Sequence, residues 1–165
     1  ALAVLELLKP VLPVSLGAVK RGLLEVEWPG RFQVLPGRPV TVLDVGHNPH
    51  AARALAGSLK RMAFASQRIA VFSMLSDKDM AAVVSLLKDE FDIWLVGGLD
   101  MPRGRTADAI ATELEGMGIR GVHRYETVPL AWDAALSMAG ENDRIVVFGS
   151  FHTVAEVMEQ RLHRA

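Results

Sequence analysis

Apolar residues along this chain fall into short unbroken runs, separated by longer segments with apolar residues at helical spacing. Runs such as VTVLDV, IAVFSM and RIVVFG hardly alternate with polar residues, which is typical of strands covered on both faces of a sheet. The runs predict six strands, at Phe32–Leu35, Val40–Val45, Ile69–Ser73, Ile93–Val96, Val122–Tyr125 and Ile145–Phe148. The helical spacing predicts helices at Pro49–Met62, Lys78–Glu90, Ala107–Met117, Leu130–Ala139 and about Val154–His163.

The order of these elements predicts the fold class. Strands that alternate with helices across short connections form right-handed crossover units and a doubly wound parallel sheet. The first strand meets the second across the turn Pro36–Pro39, so this pair is predicted to be an antiparallel hairpin at the sheet edge. We therefore predict an α/β, Rossmann-like sheet of six mostly parallel strands, with helices on both faces and an antiparallel edge strand.

The first 29 residues do not follow this pattern. Leucine-containing helices are predicted at Ala1–Leu8 and Ser15–Leu24, with two prolines between them. Trp28-Pro29-Gly30 is a turn sequence and marks a candidate boundary. Because the chain begins on apolar helical residues without a methionine, we expect residues 1–29 to be the end of a preceding domain and its linker, and residues 30–165 to be a separate domain.

Composition narrows the range of partners. Half of the residues are apolar and the net charge is −1, with acids and bases interspersed, so the chain has material for a core and no basic stripe for nucleic acid. The longest apolar stretches fall short of the ~20 residues that a membrane span needs. There is no cysteine, hence no disulfide framework and no thiolate metal site. We expect a cytoplasmic protein that binds neither nucleic acid nor membrane.

The segment after the second predicted strand carries the most informative side chains. Asn48 precedes a proline and is a favoured helix N-cap, which explains its presence without a ligand. Capping explains neither Asp44 nor His47. Ligands of such sheets bind beyond the carboxyl ends of the strands, where an acid can accept from a ribose or an ammonium and a histidine can bind an anion. The alternative is an Asp44–His47 hydrogen bond that steadies the turn.

Other segments that follow strands have two interpretations each. Gly149-Ser150 can bind an anion or carboxylate through free amides and a hydroxyl, or can form a tight turn and a cap. The loop 103–106 can clamp a phosphate, although a solvated surface is the favoured interpretation. Two further helix starts are predicted to be capping boxes, formed by Ser76 with Asp79 and by Thr153 with Glu156.

Several motifs are absent from the sequence. It has no GxxxxGKS/T phosphate loop, no GxGxxG after the first parallel strand, no GxSxG elbow and no metal-binding cluster of firm spacing. These absences, with the unusual first 29 residues, suggest one half of a two-part active site. The alternatives are a stand-alone module that binds a nucleotide or an amino acid without turnover, and a small Rossmann oxidoreductase, which the missing glycine fingerprint disfavours.

Six motifs run through nearly the whole chain in a fixed order: PGRFQV, LDVGHNPHAA, MLSDKD, PRGRTA, AWDAAL and VFGSFHTVAEVME. In these motifs the chain resembles the C-terminal portion of the Mur-ligase superfamily, and within it the family of bacterial bifunctional dihydrofolate synthases/folylpolyglutamate synthases. The resemblance implies a ligase that uses ATP to activate a carboxylate as an acyl phosphate. L-Glutamate then attacks, and an amide forms with dihydropteroate or a folate.

The resemblance also implies roles for four residues and a missing partner. Arg31 matches the arginine that reaches the ATP phosphates, and Asp44 matches the acid that orients the nucleotide ribose. His47 matches the histidine at the nucleotide and glutamate site, and Ser150 matches a serine associated with amino-acid binding. Arg31 and His47 are thus the expected catalytic residues. The P-loop domain and the Mg²⁺ ligands lie outside this sequence, so the chain alone is expected to be inactive.

Overall fold

The computed structural model describes residues 2–26 and 28–163. The strands are β1 (Gln33–Leu35), β2 (Val40–Asp44), β3 (Arg68–Phe72), β4 (Ile93–Gly97), β5 (Val122–Tyr125) and β6 (Arg144–Phe148). The α-helices are α1 (Leu2–Leu8), α2 (Leu16–Glu25), α3 (Pro49–Leu59), α4 (Met80–Leu87), α5 (Ala107–Gly116), α6 (Val128–Met138) and α7 (Phe151–Leu162). A short 3-10 helix, Lys88–Glu90, continues from α4.

The six strands form one sheet in the order β1-β2-β6-β3-β4-β5. β1 pairs with β2 in the antiparallel sense, and all other neighbouring pairs are parallel. The predicted fold class is confirmed, including the antiparallel edge strand. Because β6 lies between β2 and β3, the carboxyl ends of these three strands are adjacent. The topology therefore brings the polar segments that follow them to one edge of the sheet.

The central strands divide their side chains between two apolar cores. In β3, Ala70 and Phe72 face one core, while Ile69 and Val71 face the other. Helices α3, α4 and α5 cover the first core, and α6 and α7 cover the second. Because both faces are covered, nearly all positions inside the central strands are apolar, which explains the unbroken runs in the sequence.

Each helix that packs on the sheet begins at a side chain that accepts a hydrogen bond from the backbone N–H three residues later. These N-caps are Asn48, Asp79, Thr106, Thr127 and Ser150. Such a cap satisfies one of the N–H groups that have no partner in the first helical turn. The capping role predicted for Asn48 is confirmed.

Both predicted capping boxes are wrong. α4 is capped by Asp79 itself and not by Ser76, whose backbone N–H instead donates to the carbonyl of Arg103 at 2.8 Å. α7 begins at Phe151 and is capped by Ser150 and not by Thr153. The apolar periodicity starts late in α7 because its first two side chains, Phe151 and His152, face solvent.

Helices α1 and α2 lie outside both cores and have no buried residue. Their exposed large apolar side chains are Leu2, Val4, Leu7, Leu8, Leu16, Leu23 and Leu24. An apolar surface of this kind on a folded chain marks an interaction site. In the ranges that the structure describes, no helix has the length and apolar character needed to cross a membrane.

Candidate functional site

The turn that carries Arg31 is fixed against the carboxyl end of β2. The Gly30 carbonyl accepts a hydrogen bond from the Val45 N–H at 2.7 Å, and the Phe32 N–H donates to the Asp44 carboxylate at 3.0 Å. Gly30 has a φ of +69°, and a Cβ added there would lie 2.8 Å from a methyl carbon of Val45. This close approach requires glycine. The backbone on both sides of Arg31 is anchored, so its exposed side chain extends from a fixed point.

Asp44 uses both carboxylate oxygens to hold this turn. One accepts the Phe32 N–H, and the other accepts the Gly46 N–H at 2.7 Å. Burial raises the pKa of Asp44, and the two N–H donors and the charge of Arg31 partly offset the rise. Each oxygen keeps a lone pair for a further donor. The ribose contact stays a prediction; the observed role of Asp44 is to position the segment around Arg31.

His47 bonds to the backbone and not to Asp44. Its Nδ1 lies 3.0 Å from the Val45 carbonyl oxygen, so the alternative of an Asp44–His47 hydrogen bond is wrong. A carbonyl oxygen can only accept, and Nδ1 therefore carries the hydrogen of this bond. In the neutral ring, Nε2 is then an acceptor. The half-buried imidazole is thus held in one orientation with its basic nitrogen available to a ligand.

Phe151 connects the two residues that were predicted to be catalytic. The guanidinium carbon of Arg31 lies 5.6 Å from the centre of the Phe151 ring, within the range of a cation–π contact. The His47 ring centre lies 6.0 Å from the same ring, at an angle of 51°. Arg31 from the turn before β1, His47 from the β2–α3 connection and Phe151 from the start of α7 therefore form one cluster.

Ser150 is 3% exposed and its hydroxyl is already engaged. Its Oγ accepts the Thr153 N–H at 3.0 Å and lies 2.7 Å from the Thr153 hydroxyl, which itself donates to the Ser73 carbonyl at 2.9 Å. The Ser150 hydrogen is therefore directed to Thr153. Ser150 has no donor left for a carboxylate, and the first N–H groups of α7 are the anion donors at this position.

A cavity of about 220 Å³ lies beside this cluster. It is at the edge of the sheet where the parallel strands β2, β6 and β3 have their carboxyl ends, which we call the carboxyl edge. Its lining residues are His47, Leu75, Lys78, Arg103, Ser150, Phe151 and His152. Asp77 contacts both cations, at 3.2 Å from Lys78 and 3.2 Å from Arg103, and the hydrogen bond from Lys78 lowers the pKa of Asp77. The two positive side chains outnumber the one carboxylate, and the N-terminus of α7 lies beside them. The cavity is therefore suited to an anion.

Sequence reasoning missed two residues of this site and left a third with two interpretations. The sequence places Lys78 only at the start of a predicted helix and gives Phe151 no role, while the loop that contains Arg103 can clamp a phosphate or form a solvated surface. The backbone bond between Ser76 and Arg103 joins the loops after β3 and β4, which places Lys78 and Arg103 on the same cavity. Both follow the carboxyl ends of parallel strands, and that position was the available signal.

The contacts of Phe151 with Arg31 and His47 predict that activity depends on which residue replaces Phe151. Phe151→Leu in the full-length protein is expected to lower kcat/KM by about fivefold, because a cation–π contact at a partly exposed position contributes about 1 kcal/mol. Phe151→Tyr keeps the aromatic face and is the matched control, with activity close to that of the parent. Equal activity of the leucine and tyrosine variants in steady-state assays would show that the ring has no positioning role.

Gly149 predicts a stability effect. Its φ is +112°, and an added Cβ would lie 2.3 Å from the Ser73 carbonyl oxygen and 2.7 Å from the Phe72 ring. Gly149→Ala is expected to lower the free energy of unfolding by about 3 kcal/mol, through backbone strain and overpacking. Urea unfolding measures this, and Gly22→Ala, at an exposed helical position with open space, is the control. If Gly149→Ala lowered the free energy of unfolding by no more than Gly22→Ala, the steric conflict inferred at Gly149 would be contradicted.

In the described ranges, no group of three or more His, Cys, Asp or Glu side chains is placed to hold a metal ion. Arg31, Asp44 and His47 are brought together at the carboxyl edge. Ser150 lies at the same edge, where it is the buried N-cap of α7. The structure thus places all four predicted residues at the ends of the adjacent strands β2 and β6.

The fold is that of a Mur ligase domain. A family model described as Mur ligase, glutamate ligase domain, matches residues 30–151, and the chain belongs to this family. Among curated relatives, the dihydrofolate synthase/folylpolyglutamate synthase of Escherichia coli (strain K12) is 42% identical over 148 residues. That match covers 90% of this chain and 34% of the relative, so the chain spans about a third of the relative's length.

Two solved structures are similar over nearly the whole chain. FolC of E. coli in complex with ADP, without folate substrate, has a TM-score of 0.88 and 40% identity, covering 98% of this chain and 38% of that one. A bifunctional folylpolyglutamate synthase/dihydrofolate synthase with Mn, AMPPNP and L-glutamate bound has a TM-score of 0.86 and 41% identity, again covering 98% and 38%.

Proposed function

We propose that this chain is the C-terminal domain of an ATP-dependent ligase that joins L-glutamate to dihydropteroate or folates through an acyl phosphate. The observation that carries the proposal is the shared carboxyl edge, where Arg31, His47 and a cationic cavity are adjacent. Membership of the glutamate ligase family supports it, as does the relative solved with AMPPNP and L-glutamate.

Arg31 is the proposed contact to the ATP phosphates. Its side chain is exposed at the edge, and hydrogen bonds to Gly30 and Phe32 fix the backbone around it. A positive charge in this fixed position offsets the charge that develops as the terminal phosphate is transferred to the folate carboxylate. Asp44 holds the turn and keeps free lone pairs for the ribose hydroxyls.

His47 and the cavity are the proposed site for L-glutamate. Lys78, Arg103 and the N-terminus of α7 supply positive charge for a carboxylate. Nε2 of His47 accepts a hydrogen bond from the amino group, which must lose a proton to attack the acyl phosphate. Ser150 acts through the helix cap that it forms and not through its own hydroxyl hydrogen.

The remaining parts of the reaction belong to a P-loop domain, and we propose that α1 and α2 are its last helices and pack against the rest of it. These helices bury none of their residues and expose several leucines, as a surface for another domain would. We propose residues 1–29 as the end of that domain and its linker, and residues 30–165 as the ligase domain. Mg²⁺ would be held by the P-loop domain, and the reaction would occur in the cytoplasm.

The test is a product assay on the full-length protein with ATP, L-glutamate and either dihydropteroate or tetrahydrofolate. We expect mass spectrometry to detect a product that is heavier by one glutamyl residue, with ADP and phosphate released in equal amounts. Release of AMP and pyrophosphate would contradict a mechanism through an acyl phosphate. Binding of ATP or L-glutamate without any product would favour the alternative, a binding module without turnover.

A further inference from the structure

A second cavity, of about 410 Å³, opens at the opposite edge of the sheet. Arg68 and Arg144, the first residues of β3 and β6, line it together with the segment that follows α3. Each of these strands has five residues, so about 17 Å of sheet separates this cavity from the carboxyl edge. The cavity therefore shares no residue with the proposed ligase site.

Arg144 is the unusual group in this cavity. It is 7% exposed, and its Nη2 donates to the carbonyl of Ala63, while its Nε is buried without an acceptor. Burial and the positive charge of Arg68 both lower the pKa of Arg144. Among the described residues no carboxylate forms an ion pair with it. A buried cation without a counter-ion is destabilising, so an anion in the cavity would stabilise it.

The other charges around the cavity are already paired. Arg68 contacts Asp92 at 2.7 Å, and Lys60 contacts Glu90 at 3.3 Å. The five charged side chains that line the cavity thus leave one uncompensated positive charge, that of Arg144. A monoanion balances this charge, whereas Asp92 and Glu90 repel a dianion.

Half of the residues that line the cavity are apolar. Leu59, Phe91 and Val146 are buried core residues that reach the cavity, and Phe64 at its rim is 91% exposed. An exposed aromatic side chain beside buried apolar walls favours a ligand that has an apolar body next to its charged group.

We propose that this cavity is a binding site for a small carboxylate monoanion with an apolar body, whose carboxylate contacts Arg144. Its apolar part packs between Phe64 and the buried wall. The site is independent of the proposed ligase function, because it lies at the other edge of the sheet and uses none of the same residues.

Benzoate is the probe for this site, since it combines one carboxylate with an apolar ring. It is titrated into the ¹⁵N-labelled chain while NMR follows the Arg144 Nε–H and the amides of Phe64 and Ser66. We expect saturable shifts at these signals. Benzyl alcohol, which has the ring without the charge, and inorganic phosphate, which has charge without the ring, are each expected to bind at least about tenfold more weakly.

Arg144→Met keeps the side-chain length and removes the charge, and it is expected to weaken benzoate binding by at least about tenfold. Arg120→Met, at an exposed arginine elsewhere, is the matched control and retains binding. The benzyl alcohol comparison needs no variant, so the test holds even if Arg144→Met does not fold. Absent shifts, undiminished binding by Arg144→Met, or equal binding of benzyl alcohol or phosphate would each overturn the proposal.

Discussion

Arg31→Ala in the full-length protein is expected to lower kcat of the proposed reaction by about 10²–10³-fold, the range seen when one donor to a developing negative charge is removed. The fold is expected to be unaffected, because the Arg31 side chain is exposed and the backbone bonds of Gly30 and Phe32 do not involve it. Steady-state kinetics and circular dichroism of the same preparation measure both expectations.

Arg38→Ala is the matched control for this prediction. Arg38 lies on the turn between β1 and β2, where it forms a 3.4 Å ion pair with Glu141, and both side chains are about three-quarters exposed. Such a pair contributes little to stability, so the variant should retain activity. If Arg31→Ala were as active as Arg38→Ala, Arg31 would have no role in catalysis.

His47→Ala is expected to lower kcat/KM for L-glutamate by about 10²-fold or more, because it removes the nitrogen that we propose accepts a hydrogen bond from the amino group. His47→Asn separates this role from a structural one. The asparagine amide can still donate to the Val45 carbonyl, which the Nδ1 of His47 contacts at 3.0 Å, but it provides no basic nitrogen. Both variants should therefore be impaired to a similar degree.

His50→Ala, at an exposed position in the first turn of α3, is the control and should retain activity. Recovery of activity in His47→Asn alone would assign His47 a structural role through the Val45 bond. A wild-type rate in His47→Ala would remove the residue from the site altogether.

The architecture could be predicted because burial on both faces of the sheet imposes a strong pattern. VTVLDV, IAVFSM and RIVVFG are apolar at nearly every position since two helical layers cover the sheet, and the structure has β2, β3 and β6 there. Helix starts were harder to locate. Ser150 and Thr153 are both good caps, and only the turn at Gly149 decides between them.

The candidate site was predicted in part. Arg31, Asp44 and His47 stand in specific motifs, and the structure places them at one strand end. Phe151 was not foreseeable, because its contacts come from the way the turn before β1 and helix α7 meet in space.

The acceptor of the Ser150 hydroxyl hydrogen also could not be predicted from the sequence. It depends on Thr153, whose hydroxyl donates to Ser73, 80 residues away in the chain. Without that bond, Ser150 would be free to donate to a ligand. Polar networks between distant segments decide which hydroxyl is available, and no local pattern encodes them.

Titration calorimetry of ATP into this 165-residue chain and into the full-length protein tests the two-domain site most directly. If the carboxyl edge supplies only Arg31 and the ribose contact, the chain alone should bind ATP with a Kd above about 100 µM, and the full-length protein much more tightly. A Kd below about 1 µM for the chain alone would contradict this, because the sheet edge would then hold the nucleotide without a P-loop domain.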